Sequence, residues 1–280
     1  MNDDIRLSFE FFPPKTEQGR EKLVQVRQEL STFKPEFFSV TYGAGGSTRE
    51  HTKGIVQLIK QAGQDVAPHL SFGGDTPEEL LALLNEYKNF GINRLVALRG
   101  DRPSGMGGGL HMVYANELVA FIREHFGSYF HIEVAAYPEI HPESQSFISD
   151  IRHLKGKFDA GANSAITQYF YNPDAYFYFV EQCRVQGIHA DIVPGIMPIT
   201  NYKNLSRFSD SCGAEIPRWL RKRLESFGED QDSIKAFGLD IVSELCETLL
   251  DNEAPGLHFY TMNQTEPCAT ILRNLGWQEN

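Results

Sequence analysis

The chain is short of cysteine, of unbroken apolar stretches and of metal-binding spacings, and each shortage narrows what it can be. Its 280 residues hold four cysteines, Cys183, Cys212, Cys246 and Cys268. None sits in a CxxC pair, which argues against a structural zinc site, and a disulfide framework is not expected in a chain of this size. No HExxH or comparable ligand cluster is present, so no metal is expected. No apolar run approaches the roughly 20 residues that span a bilayer. The opening residues, Met1 to Arg6, are acidic and unlike a secretory leader, so the expected location is the cytoplasm. The glycines at 105 and 107 to 109 lack a following Gly-Lys-Ser/Thr and do not make a P-loop. Basic residues are outnumbered 26 to 37 by acidic ones, a net charge of −11. That charge repels phosphate backbones and anionic lipid, so neither nucleic acid nor a membrane is an expected partner.

What is present is ordinary globular material, with 41% apolar and 22% charged residues arranged in a repeating pattern. Short β-type runs alternate with longer amphipathic segments. Leu7 to Phe12 reads as a strand stopped by Pro13-Pro14, and Thr16 to Phe33 as a helix. Phe37–Tyr42, Ala67–Phe72, Asn93–Leu98, His131–Tyr137, Ser164–Tyr171, Ala190–Ile196 and Leu257–Met262 read as further strands. Helices fall between them, and Thr76 before Pro77 supplies one N-terminal cap. Two additional helices, near 218–226 and 233–251, precede the last strand. Eight strand–helix units in this length predict an α/β fold, a single (β/α)8 barrel spanning residues 1–280 as one domain. A doubly wound sheet would carry a glycine-rich turn after its first strand, where this chain has Pro13-Pro14-Lys15.

Barrel enzymes work at the C-terminal ends of their strands, and polar residues gather there. Glu10 lies between phenylalanines in Phe9-Glu10-Phe11-Phe12. Loss of hydration among rings would raise its pKa and suit it to general acid work; a core carboxylate paired with a lysine or arginine is the equal alternative. Asp101 after Arg99-Gly100 reads as a ligand-facing carboxylate or as a surface turn. His69 and His141 read as ligands or as hydrogen-bonded structural residues. Phe208 at helical spacing from Leu205 reads as core, and Lys157 as a favourable charge at a helix end. These residues define a barrel enzyme with an acidic group and do not name a reaction.

Eight segments, in order, do more. SFEFFPPK (8–15), FFSVTYGAGG (37–46), APHLSF (67–72), ALRGD (97–101), VAAYPEIHPE (134–143), DAGANSAITQYF (159–170), PGIMPITNY (194–202) and HFYTMN (258–263) together closely resemble methylenetetrahydrofolate reductase, over nearly the whole chain. The family's eukaryotic members carry a second, regulatory domain; this chain, ending after the barrel, resembles the short bacterial type. The resemblance implies FAD as cofactor, NADH or NADPH as hydride source and 5,10-methylenetetrahydrofolate as substrate. The product would be 5-methyltetrahydrofolate, supplying methyl groups for methionine synthesis. The two substrates would use one flavin face in turn, a ping-pong scheme, and the protein would be a homo-oligomer.

Roles follow from the same resemblance. Glu10 matches the general acid that opens the folate imidazolidine ring, and Asp101 the carboxylate that binds the pterin and tunes the flavin. Thr41, His69, Arg99, Tyr137, Asp150 and Lys157 match positions that contact FAD, with Arg99 and Lys157 offsetting pyrophosphate charge. Ala135 and His141 belong to the same cofactor-lining motif. Gln168 matches a side chain used by folate and nicotinamide alike, and Phe208 an aromatic that stacks on the reduced dinucleotide. Gln264 stands where the family usually has arginine, a partner for the folate glutamate tail, and cannot form a charged bidentate pair. Two other readings stay open: a barrel methyltransferase or lyase binding a pterin without flavin, and a folate- or flavin-binding protein without catalysis.

Overall fold

The computed structural model describes residues 5–42, 46–72, 76–99 and 114–279. Among them nine strands and ten helices alternate: β1 (Arg6–Phe11), α1 (Glu17–Ser31), β2 (Phe37–Val40), α2 (Gly46–Gln61), β3 (Val66–Leu70), α3 (Pro77–Asn89), β4 (Arg94–Ala97), α4 (Ala115–Phe126), β5 (His131–Ala136), α5 (Phe147–Asp159), β6 (Ser164–Thr167) and α6 (Pro173–Val185). Then come β7 (Ile192–Val193), β8 (Gly195–Ile196), α7 (Tyr202–Cys212), α8 (Arg218–Ser226), α9 (Gln231–Asp251), β9 (Gly256–Tyr260) and α10 (Cys268–Asn274). Local signals account for several ends. Thr76 caps α3 in a reciprocal capping box with Glu79, and Pro77 opens the helix.

All pairings are parallel, and β1 lies between β2 and β9. The predicted seventh strand is the one departure from an eight-strand count. Pro194 has no N–H to give a ladder and divides the run in two. The first half, β7, pairs with β6, and the second, β8, pairs with β9. The carbonyl of Pro194 still accepts the N–H of His258 at 3.0 Å. One broken strand thus joins both ends of the sheet and closes the barrel. The extra helices, α8 and α9, precede the last strand as predicted.

Period-2 alternation sorts each strand into two environments. Leu7, Phe9 and Phe11 face the helices and join the main core. Phe9 stacks on Phe38 and Phe259 at 5.8 and 5.9 Å, and Phe11 on Phe38 at 5.2 Å. Inside the barrel, Phe37, Ala67, Val96 and Ile166 form a small apolar plug. At the strands' N-terminal ends, Glu133 is fully buried. It takes Arg6 at 2.8 Å, Arg94 at 2.6 Å and the Ser164 hydroxyl at 2.5 Å. The floor is therefore an ionic lock, the middle is apolar, and the opposite end is left for a ligand.

Candidate active site

A cavity of about 340 Å³ sits at the C-terminal ends of the strands, in the size range of organic-ligand sites. Six residues singled out in the sequence line it: Glu10, His69, Ala135, Tyr137, Gln168 and Phe208. Glu10 comes from β1 and His69 from β3. Tyr137 and Gln168 follow β5 and β6, and Phe208 lies on α7. Val96 and Leu98 add an apolar wall.

Glu10 does not sit among the phenylalanines that flank it in sequence, because alternation sends Phe9 and Phe11 to the helix side. Its carboxylate points into the barrel, where Oε2 stands 3.3 Å from His69 Nε2 and 3.7 Å from His258 Nε2. Both imidazoles face the carboxylate, though neither nitrogen meets it with full hydrogen-bond alignment. Desolvation is the strongest single influence on Glu10 and pushes its pKa up, but the two imidazoles outweigh it and hold the carboxyl at about 2. The raised pKa predicted from the sequence is therefore corrected for this state of the protein: Glu10 is a carboxylate here.

His258 and Ser8 were not foreseen. Ser8 Oγ lies 2.7 Å from His258 Nδ1 in the barrel interior, which turns Nε2 towards Glu10. The register that pairs Ser8 with His258 and Glu10 with Tyr260 makes this possible. The signal was present in the alternation: Ser8 and Glu10 share one face of β1, and His258 and Tyr260 one face of β9. Tyr260 crosses the barrel to donate to the Thr167 carbonyl at 2.7 Å. Gly195 allows this, since a Cβ there would stand 2.1 Å from Thr167 O and 2.7 Å from the Tyr260 ring.

A second group, Arg99, His141, Asp150 and Lys157, gathers beside the cavity wall. Asp150, in the first turn of α5, accepts the His141 N–H at 2.8 Å and the Ser144 hydroxyl at 3.0 Å. His141 Nδ1 accepts the Glu143 N–H at 3.0 Å, and its ring meets Tyr137 edge to face at 4.5 Å. Burial lowers the His141 pKa. Arg99 pairs with Glu143 at 2.6 Å. Lys157 is half-buried, and its ammonium donates to the Ala135 carbonyl at 2.7 Å. Burial brings its pKa down to about 8, with Asp150 opposing and Arg99 assisting. As placed, Lys157 shapes the cavity wall at Ala135.

Thr41 is half-buried at the end of β2, where its carbonyl accepts the Thr52 hydroxyl at 2.9 Å. Gln264 is exposed beyond β9, two residues past the cavity-lining Met262. Neither side chain lines the cavity. Asp101 lies outside the described residues. No helix among the described residues is long and apolar enough to cross a membrane.

A closed parallel barrel whose strand ends carry a carboxylate, two imidazoles and an apolar-walled cavity defines an α/β-barrel enzyme acting on an organic ligand. Comparison with known proteins narrows the class. The chain belongs to the methylenetetrahydrofolate reductase family, whose model matches residues 1–276. It is 40% identical to the 5,10-methylenetetrahydrofolate reductase of Escherichia coli (strain K12) over 99% of this chain and 92% of that one. It is 42% identical to that of Buchnera aphidicola subsp. Schizaphis graminum, over 99% and 94%. Methylenetetrahydrofolate reductase (NADH) 1 of Arabidopsis thaliana is 39% identical over 96% of this chain, which spans 48% of that protein. Among solved structures, a Clostridium thermocellum protein described as binding two copies of 5-methyl-5,6,7,8-tetrahydrofolic acid superposes with a TM-score of 0.67. It shares 17% identity and covers 97% of this chain and 94% of its own, a likeness of fold.

Proposed function

We propose that the cavity binds FAD and, in alternation, a reduced nicotinamide dinucleotide and 5,10-methylenetetrahydrofolate, yielding 5-methyltetrahydrofolate. The observation that carries this reading is Glu10 on the cavity wall, backed by two imidazoles, in a chain of this family. A flavin suits the site. Val96, Leu98, Val134 and Ala135 offer an apolar wall for a flat ring. His69 Nε2, on the cavity wall, is buried without a hydrogen-bond partner, and Arg99 stands beside the wall as a cation for phosphate. His69, Ala135 and Tyr137 would hold the ring end. Thr41, His141, Asp150 and Lys157 would fix the loops and walls around it. When bound, FAD supplies hydride transfer, accepting from the nicotinamide and giving to the folate.

The chain's own residues handle protons and placement. Opening the imidazolidine ring breaks a carbon–nitrogen bond, and the departing amine needs a proton as its partner nitrogen becomes an iminium. Glu10 is the group placed to give it. The carboxyl must first gain that proton. A ligand ring covering Glu10 removes the remaining water and raises the cost of its charge. His69 and His258, the groups facing Oε2, are placed to relay the proton, with Ser8 orienting the His258 ring. Gln168 and Phe208 would position both substrates, and Asp101 the pterin. With Gln264 exposed and uncharged, the glutamate tail would be held without a bidentate arginine pair at that position.

Colour tests the reading. The purified protein is expected to be yellow, absorbing near about 450 nm as flavins do. Anaerobic NADH or NADPH should bleach it, and methylenetetrahydrofolate should restore it. A colourless protein that still binds folate would favour a flavin-free methyltransferase or lyase. Bleaching without restoration would favour a binding protein without catalysis.

A further inference from the structure

Helix α7 supplies Phe208, Ser211 and Cys212 to the cavity wall, yet it is weakly rooted. Of its eleven residues only Leu205 and Ser209 are buried. Few apolar contacts fix its seat, so polar contacts at its ends decide where the wall stands. At the N-terminal end, Asn201 caps the helix by accepting the Asn204 N–H at 2.9 Å. Midway, Ser209 Oγ meets the Tyr169 hydroxyl at 3.0 Å.

The C-terminal end is held by the loop after β5, the loop that also carries Tyr137. Gly213 ends α7 in the left-handed conformation, with φ of 77°. It packs so closely on Pro142 that a Cβ would stand 2.7 Å from the proline Cγ. Two residues on, the Glu215 N–H donates to Glu139 Oε2 at 2.7 Å. The loop is shaped for the purpose, since Ile140, directly after Glu139, has a φ of 74°, a costly conformation for a β-branched residue.

We propose that Glu139 is a positioning residue, latching the end of α7 to the loop after β5 and so setting Phe208, Ser211 and Cys212 against the bound substrate. The inference rests on the reading of the cavity given above. Glu139 does not line the cavity and acts only through α7. Glu139 is half-buried and faces the Glu215 carboxylate and the Tyr169 hydroxyl. Burial first, and the Glu215 charge with it, push its pKa up to about 7 against the opposing pull of the Glu215 N–H. Groups held at such a cost cluster at functional positions.

The test compares Glu139→Ala with Glu139→Gln, which keeps a carbonyl acceptor, in the full-length, flavin-loaded protein. In Glu139→Ala, hydrogen exchange of the α7 amides should speed up about tenfold while α5 and α9 stay unchanged. KM for the nicotinamide and folate substrates should rise about fivefold with kcat within about twofold of wild type, the pattern of lost binding without lost chemistry. Glu139→Gln should remain within about twofold of wild type in all three. Because the latch works through Phe208, adding Glu139→Ala to Phe208→Ala should raise KM no further than Phe208→Ala does alone. Unchanged α7 exchange in Glu139→Ala, or KM effects of the two substitutions that multiply independently, would overturn the latch. If the wild-type protein turns over neither substrate, the functional reading falls, and the exchange arm still decides whether Glu139 holds α7.

Discussion

Glu10 shows how far one residue's chemistry depends on what faces it. Beside phenylalanines in sequence it should be a reluctant carboxylate; opposite His69 and His258 it is held at about 2. The difference is one of direction: on a strand, neighbours in sequence point to opposite faces, and the groups that matter lie 59 and 248 positions away along the chain. Glycine at 195 is a second single-residue requirement. Adding a Cβ there drives it into the Thr167 carbonyl and the Tyr260 ring, and the carbonyl is backbone that cannot swing aside. Gly195→Ala should therefore cost at least about 2 kcal/mol, at the upper end of ordinary overpacking, read from the denaturant midpoint. A loss under about 0.5 kcal/mol, the size of an ordinary surface substitution, would mean that the barrel wall yields there.

At the scale of elements, the alternation of strands and helices was legible because each short β-type run is separated from the next by a helical stretch of matching length. The cap at Thr76 was legible because its residues are local. The break at Pro194 was not read from the run Ala190–Ile196, although a proline inside a strand is the mark of such a break. The ionic lock under the barrel was also unseen. Arg6, Arg94 and Glu133 come from three strands, and only closure of the sheet brings them together. Burial is the largest influence on Glu133 and would raise its pKa, but His131, Arg6 and Ser164 together hold it at about 2. A depressed carboxyl gives stability that is present above its unfolded value near 4.5 and is lost as pH falls through about 2. Removing it takes the buried carboxylate from between Arg6 and Arg94 and leaves the more exposed Glu36 as their shared partner. Glu133→Ala should therefore lose about 3–5 kcal/mol at neutral pH, with most of the difference from wild type gone in strong acid. A loss that stays constant from neutral pH down to about pH 2 would show that packing, and not charge, is what Glu133 supplies.

For the molecule as a whole, the barrel divides labour along its axis: an ionic floor, an apolar plug and an open end with a carboxylate in reach of imidazoles. The sequence and its family resemblance located part of that open end, since six of the residues they marked line one cavity. They could not supply Ser8 and His258, which matter only through a contact across 250 positions. They also could not show that Lys157 donates to the Ala135 carbonyl. The proposed function separates two tasks, exchange of hydride and delivery of a proton, and assigns only the second to Glu10. Anaerobic stopped-flow measurement of both half-reactions in Glu10→Gln tests that assignment directly. Bleaching by reduced nicotinamide should proceed at the wild-type rate. Reoxidation by methylenetetrahydrofolate should slow by about 100-fold to 10,000-fold, the range of general acid catalysis. Wild-type rates in both halves would contradict the account.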